Sequence, residues 1–582
     1  MDQTQVIQQE GRRWWIRPDA AAPLLADGRL TACPERLTAI KQGASRTVSR
    51  CEAGGVTFYV KRYAAGGLGR RLRAWFGLGP GRREWNMLLA ARAAGLDVPE
   101  PAALGHGAEE VLITREIHDA QRLDDYLFDR YFEPLAGDPP YPGARPPELI
   151  AVFRRRRIPP AGTINPRTLA YCLADLVARL AEADLYLPDL HPGNILIAGP
   201  PGGWRLSLVD LADAVSPAPP EATLQHLLEL EHFFEPLATA SERLRCLQRL
   251  QELWPETPSA REVARATAAY RQRFYRHRDH RTRRESKYFR RLAVGEWRGW
   301  ATADWVKTME SLLGAKGNDP CWGTAAILKE GRTSTVWRET LDDGRTLILK
   351  RHNRAVERGT IHRILRPSRS LAAFRRGHAL LARGIATARP AAAVECTKDT
   401  ARYETLLATE DLRDGEPLSD WLRREPPPAD RRHVTWELAR MVRRLHDMGF
   451  SHRDLKAPNF LVTPARGPAS QRGRGPRPRV FLVDLDGLRG DRRVSPHRRA
   501  QNLMRLSVSL DEWGVARRTD RLRFLRTYLG RRGCPSAITI RSRRRGATEA
   551  ARRLRRWWKR ISRLSARKWA TLRRKQETGN HR

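Results

Sequence analysis

One short stretch does most to restrict how this chain can fold: Ser451-His452-Arg453-Asp454-Leu455-Lys456-Ala457-Pro458-Asn459, with Val483-Asp484-Leu485-Asp486-Gly487 after it. Asp454 and Asn459 stand five residues apart. The apolar run Val480-Phe481-Leu482-Val483 reads as a strand that delivers Asp484 from its end. Phosphoryl transfer needs these groups. One Asp accepts or orients the proton of an attacking hydroxyl, and an Asn turns back to hold a metal ion. A second Asp, on a separate strand, holds the metal that bridges the β- and γ-phosphates of ATP. A His-Arg-Asp triplet alone arises easily in an Arg-rich chain and is then a surface turn. The triplet with Asn at this offset and a strand-end Asp is far more specific.

The pattern occurs twice. In the first half, Leu187-Pro188-Asp189-Leu190-His191-Pro192-Gly193-Asn194 again places Asp and Asn five apart, and Leu206-Ser207-Leu208-Val209-Asp210 delivers a strand-end Asp. Leu187 and Pro188 stand where the other half has His and Arg. The His packs and orients the loop and is not the base, so its loss does not exclude activity. Each trio is preceded by a loop and a strand ending in Lys. Gly43 lies in a turn of small residues before Val56-Thr57-Phe58-Tyr59-Val60-Lys61, and Gly331 precedes Thr346-Leu347-Ile348-Leu349-Lys350. Eighteen residues separate Gly43 from Lys61 and nineteen separate Gly331 from Lys350, so the halves keep register. The loop backbone would cover the phosphates, and the Lys would reach the α- and β-phosphates. Any β-hairpin can end in Lys, so these segments draw their weight from the trios. Arg83-Glu84-Trp85-Asn86-Met87-Leu88-Leu89 reads as a helix that stops near Gly95. Glu84 would there pair with Lys61; taken alone it reads better as a solvated helix carboxylate. Counting back from Gly95 and Gly384 aligns Glu84 with Ala373, so the second half lacks that glutamate.

At 582 residues the chain should hold two or more domains. The expected division is a first domain over 1–280, a basic linker over 281–320, a second domain over 321–540 and a basic Arg/Trp tail over 541–582. Residues 1–38 read as an edge strand or leader. Residues 131–166 and 464–478, rich in Pro, Gly and Arg, read as insertions or loops. Strands near 111–117 and 406–412 should lead into hinges, and helices over 169–183 and 436–448 into the two Asp loops. Seven cysteines without a C-x-x-C pair argue against a zinc ribbon or disulfide scaffold and fit a reducing cytoplasm. No apolar run is long enough to span a bilayer, and the start is no signal peptide. The net charge of +42 suits polyanions: anionic headgroups, phosphorylated glycolipid or, less well, nucleic acid. Arg far exceeds Lys, as a GC-rich genome would favour, so part of that charge can be compositional. In the tail, Leu554, Trp557, Trp558 and Ile561 share one helical face among arginines. That face suits either a membrane interface or packing on the chain's own lobe.

Together these residues resemble the lipopolysaccharide core kinases, the Kdo and heptose kinases with a protein-kinase-like fold. The second half carries Pro367-Ser368-Arg369-Ser370, Leu380-Leu381-Ala382-Arg383-Gly384-Ile385-Ala386-Thr387-Ala388-Arg389-Pro390, His452-Arg453-Asp454-Leu455 and Arg521-Leu522-Arg523-Phe524-Leu525. The first is similar through Arg83-Glu84-Trp85 and Val98-Pro99-Glu100-Pro101, and its Asp189-Leu190-His191-Pro192-Gly193-Asn194 also looks like aminoglycoside-type phosphotransferases. The resemblance implies an α+β chain of two tandem kinase-like domains, each with a small β-rich N-lobe and a mainly helical C-lobe. It implies ATP with Mg²⁺ and transfer to an inner-core sugar hydroxyl of a membrane glycolipid. It places the protein in the cytoplasm or peripherally at the inner face of the cytoplasmic membrane. By the same resemblance Asp454 is the base, Asn459 and Asp484 are metal ligands, and Gly331 and Lys350 bind the nucleotide. Asp189, Asn194, Asp210, Gly43, Lys61 and Glu84 fill those roles in the first half. Two alternatives remain. Asp454-Leu455-Lys456 is the spelling of Ser/Thr protein kinases, but no Ala-Pro-Glu follows Asp484 and little activation segment is left before Pro496. One or both halves could also be non-catalytic pseudokinase scaffolds.

Overall fold

The structure, a computed structural model, describes residues 4–31, 37–42, 46–64, 79–134, 153–155, 159–200, 202–235, 237–316, 326–331, 334–352, 367–396, 404–464, 477–490, 493–515, 517–530 and 540–579. Gly43, most of 131–166, residues 317–320 and most of 464–478 lie outside the described residues. The protein is mixed α/β and divides into two compact units. The first comprises Met1–Glu133 and Arg155–Arg271, the second Pro134–Arg154 and Gln272–Arg582.

In the first unit a seven-stranded antiparallel sheet runs Gln5–Gln9, Arg12–Ile16, Pro101–His106, Glu110–Arg115, Val56–Tyr63, Arg46–Ala53, Ala39–Gln42. The N-terminal residues thus form edge strands. Gly54 and Gly55 both take positive φ (54° and 73°), as the two-residue turn between Ala53 and Val56 requires. Side-chain alternation then orients the lysine. Phe58 and Val60 enter the core with Trp14 and Ile16, so Lys61 and Tyr63 project to the other face, where helix Pro80–Ala93 packs. Below lies a helical part, including Pro166–Glu182, Ala222–Phe234 and Ala240–Leu253, with a three-stranded sheet Gln121–Arg122, Ile195–Ala198, Arg205–Leu208. Helix Pro166–Glu182 starts where Asn165 accepts from the Arg167 and Thr168 amides, and it buries Leu169, Leu173, Leu176 and Leu180 at helical spacing.

In the second unit a seven-stranded sheet runs Phe289–Val294, Trp297–Thr302, Pro390–Cys396, Thr405–Glu410, Thr346–His352, Ser334–Thr340, Ala326–Gly331. The three-stranded sheet is Glu416–Pro417, Phe460–Thr463, Arg479–Leu482. Helices Arg369–Ala382, Pro428–Asp447, Pro496–Glu512 and Arg518–Leu529 complete it. The expected linker over 281–320 is therefore corrected. It supplies two sheet strands and helix Val306–Lys316. The reason is a hairpin with apolar residues on both faces: Phe289 packs with Phe374 on one side and Leu292, Trp297 and Ala301 enter the core on the other, while Arg290 and Arg291 between them are exposed. The density of arginine hid that pattern.

The C-terminal helix Ile540–Gly579 settles the choice left open for the tail. Leu554, Trp557, Trp558 and Ile561 pack against the core of the second unit, and the Trp557 ring meets Tyr528 edge-on at 6.1 Å. That apolar face is therefore partly buried against the chain's own second unit. Arg552, Arg555, Arg556, Lys559, Arg560, Arg563, Arg567 and Lys568 stay exposed. Among the described residues no helix is long and apolar enough to cross a membrane.

Candidate active site

In the second unit, helix Pro428–Asp447 ends at Gly449 (φ 81°) and the chain turns into strand Phe450–His452, which pairs with Leu488–Gly490. His452 is fully buried. Its amide donates to Asn502 Oδ1 at 3.0 Å. Its Nδ1 accepts from the Asp454 amide at 3.2 Å, and its Nε2 donates to the Asp484 carbonyl at 2.9 Å. Burial lowers its pKa, in keeping with a neutral ring that ties the Asp454 loop to the Asp484 turn. Asn459 Nδ2 donates to the Asp454 carbonyl at 2.7 Å, and the Val483 amide donates to the Asn459 carbonyl at 2.8 Å. Asp484 is held in the left-handed region at φ 57°, unusual for a non-glycine residue. Lys350 Nζ lies 2.8 Å from Asp484 Oδ1 and 2.8 Å from Asp486 Oδ2. Burial opposes the Lys350 charge, but Asp486 and Asp484 outweigh it and raise the pKa. Asp454 is more open to solvent and pairs with Lys456 at 2.9 Å.

The first unit repeats this geometry. Asn194 Nδ2 donates to the Asp189 carbonyl at 3.1 Å, the Val209 amide donates to the Asn194 carbonyl at 3.0 Å, and Asp210 sits at φ 70°. The Tyr186–Val215 bridge matches the short strand pair of the second unit. Where His452 would stand, the Leu187 amide donates to His226 Nε2 at 3.0 Å, from helix Ala222–Phe234. Burial lowers the His226 pKa to about 4, keeping that ring a neutral acceptor. Lys61 Nζ meets Glu84 Oε1 at 2.5 Å, and the Tyr63 hydroxyl donates to Glu84 Oε2. Glu84 is 1% exposed, so the solvated alternative for it is overturned. Arg46 makes a two-pronged ion pair with both Asp210 oxygens. Beside Asp189, burial pushes the Glu229 carboxyl up to about 8, with the Asp189 charge adding to the shift.

The structure thus brings together Lys350, Asp454, Asn459 and Asp484 in one unit, and Lys61, Glu84, Asp189, Asn194 and Asp210 in the other. Gly331 ends the strand that leads into its loop, while Gly43 lies outside the described residues. Sequence reasoning missed Asp486, His352, Tyr63, Arg46 and His226. For Asp486 and His352 a signal existed, since they stand two residues beyond Asp484 and Lys350.

Comparison with known proteins bears on this geometry. The "Lipopolysaccharide kinase (Kdo/WaaP) family" profile matches residues 326–528, inside the second unit. The chain is 32% identical over 231 residues to the "Lipopolysaccharide core heptose(I) kinase WaaP" of Pseudomonas aeruginosa, spanning 37% of this chain and 82% of that protein. The chain belongs to the Kdo/WaaP lipopolysaccharide kinase family. Membership makes it a kinase, a phosphotransferase expected to use ATP. A second relative of the family is the "3-deoxy-D-manno-octulosonic acid kinase" of Haemophilus influenzae, 27% identical over 150 residues, 25% of this chain and 56% of that protein. A solved structure, "WaaP in complex with acyl carrier protein", is 26% identical and covers 40% of this chain and 89% of its own, with a TM-score of 0.28.

Proposed function

We propose that the protein is an ATP-dependent kinase that phosphorylates a sugar hydroxyl of the lipopolysaccharide inner core, built from two tandem protein-kinase-like domains over about 1–280 and 281–540. The observation that carries this is the meeting of Lys350 with the strand-end Asp484, beside a loop in which Asn459 is tied back onto Asp454. In this reading Asp454 orients and takes the proton of the acceptor hydroxyl, and Lys350 grips the α- and β-phosphates under the Gly331 loop. Asn459 and Asp484 offer the hard oxygen donors that suit Mg²⁺. The described residues hold no group of three or more His, Cys, Asp or Glu ready to cage a metal. That fits Mg²⁺, which is usually held by one or two carboxylates together with substrate phosphates. Bound there, the ion would neutralise charge on the transferred phosphoryl group.

The substrate assignment follows the names of the heptose and Kdo kinase relatives. A glycolipid acceptor lies at an anionic surface, and the exposed Arg/Lys face of helix Ile540–Gly579 supports electrostatic attachment there, while its apolar face packs on the second unit. The first unit has the same parts, with Asp189 as base, Asn194 and Asp210 as metal ligands, and Lys61, held by Glu84, as phosphate clamp. One observation favours a second reading for that unit alone. Arg46 occupies both oxygens of Asp210, the group a metal would need, which favours a nucleotide-binding but non-catalytic unit.

The test offers the full chain radiolabelled ATP with dephosphorylated core lipopolysaccharide, with a generic protein substrate, and with neither. Label confined to the glycolipid is the expected result, and label in the protein substrate would sink the assignment. Asp454→Ala should abolish transfer. If Asp189→Ala does so instead, the roles of the two units are reversed.

A further inference from the structure

A kinase-type lysine works only when a carboxylate holds it against the phosphates. In the first unit that carboxylate is Glu84. In the second unit the matching helix position is Ala373, 1% exposed and embedded in the core. We propose that Asp486 is the positioning residue for Lys350, replacing the missing helix glutamate with a carboxylate delivered from the turn after the metal-binding strand. The inference rests on the reading of the second unit as the ATP-using kinase.

Strand register supports the equivalence. Lys61 pairs across its sheet with Val48 and Leu112, and Lys350 with Val336 and Leu407. Two residues on, Tyr63 and His352 therefore share a face with their lysines. Asp210 and Asp484 share the same left-handed backbone, and two residues beyond them stand Ala212 and Asp486. The two units hold complementary sets: Glu84 with Ala212, and Ala373 with Asp486.

The supporting side chains exchange in step. The Tyr63 hydroxyl donates to Glu84. In the second unit His352 Nε2 lies 3.0 Å from Asp486 Oδ2, and its Nδ1 lies 3.0 Å from Ser370 Oγ. Ser370 in turn donates to Thr405 Oγ1 at 2.9 Å. Ser370 and His352 are buried, so this chain of contacts anchors Asp486 to a helix and to the hinge strand. Arg376 reaches the Leu485 and Asp486 carbonyls at 3.4 Å and steadies the turn itself. Gly487 lets that turn close: a Cβ there would lie 2.8 Å from His452 Cε1. Lys350 contacts both carboxylates equally, at 2.8 Å. With a metal taking up Asp484, Asp486 would still hold the lysine.

The competing role for Asp486 is a second metal ligand, and kinetics separate the two. Asp486→Asn and His352→Ala are made in the full chain carrying Asp189→Ala, so that only the second unit turns over. ATP KM, kcat and the Mg²⁺ half-saturation at saturating ATP are then measured. Loss of the positioning carboxylate should raise ATP KM about ten- to hundred-fold and lower kcat, with Mg²⁺ half-saturation unmoved. His352→Ala should act in the same direction, and the double variant should be no worse than Asp486→Asn alone. A shifted Mg²⁺ half-saturation with unchanged ATP KM would make Asp486 a metal ligand and overturn the proposal. Unchanged kinetics in Asp486→Asn would overturn it too while leaving the kinase reading intact. An Asp189→Ala parent without activity would strike the kinase reading of the second unit and take this proposal with it.

Discussion

Glu84→Ala tests how the first unit holds its lysine. Glu84 is 1% exposed, and it meets Lys61 Nζ at 2.5 Å and the Tyr63 hydroxyl. The substitution leaves a lysine whose side chain is 15% exposed without its counter-ion, and a buried hydroxyl without its acceptor. Removing one member of a buried ion pair costs ~3–5 kcal/mol. The residual exposure of Lys61 gives it partial access to water, which places the expectation near the lower end, about 3 kcal/mol. For a unit of about 250 residues each kcal/mol moves Tm by ~2–4 °C, so the first unit should melt roughly 6–12 °C lower. Hydrogen exchange on the full chain reads this locally. Amides of Val56–Tyr63 should lose protection, while those of Thr346–His352 in the second unit serve as the internal control. Glu84→Gln, which keeps the volume and an acceptor oxygen, should cost less than Ala. A loss under about 1 kcal/mol for Glu84→Ala would refute the reasoning and show the pair to be solvated.

Further outcomes are expected elsewhere. Asp454→Asn should lower kcat by about 10²–10⁴-fold, measured as phosphotransfer, with unchanged melting because Asp454 is partly exposed. His446 is buried between Tyr528 and Asn502, and burial lowers its pKa from 6.5 to about 4. The unfolded chain therefore binds the extra proton between those values. The stability this residue contributes is complete above pH 6.5 and drains away as pH falls towards about 4. His446→Gln should flatten that slope in urea midpoints of the second unit. Glu229 has the opposite sign: its folded pKa of about 8 exceeds the ordinary 4.5, so the stability it contributes is complete below pH 4.5 and is lost as pH rises from there towards about 8. Glu229→Gln should remove that loss between pH 4.5 and about 8 in the first unit. Trp557→Ala should cost ~1–3 kcal/mol and release the C-terminal helix to limited proteolysis, since the ring is partly buried against Tyr528.

The two Asp…Asn…Asp sets, the strand lysines and the order of strands and helices were legible in the chain itself. They are local: a loop needs its Asp and Asn at a set offset, and alternation along 56–61 decides which way Lys61 points. The same local logic explains why the 281–320 stretch misled. Its charges were counted, while Phe289 and Leu292, which enter cores on opposite faces of the sheet, were hidden among exposed arginines. Other features exist only across distance. Arg46 lies 164 residues from Asp210, and Lys350 lies 136 residues from Asp486. The composition of the tail allowed a membrane face or a packed one, and only contact with Tyr528 chose. Spacing along a backbone can specify which groups a site contains, because φ/ψ and periodicity act over a few residues. It cannot specify which carboxylate finally holds a lysine, because that depends on which turns a sheet and a helix hold against each other once their apolar faces are buried.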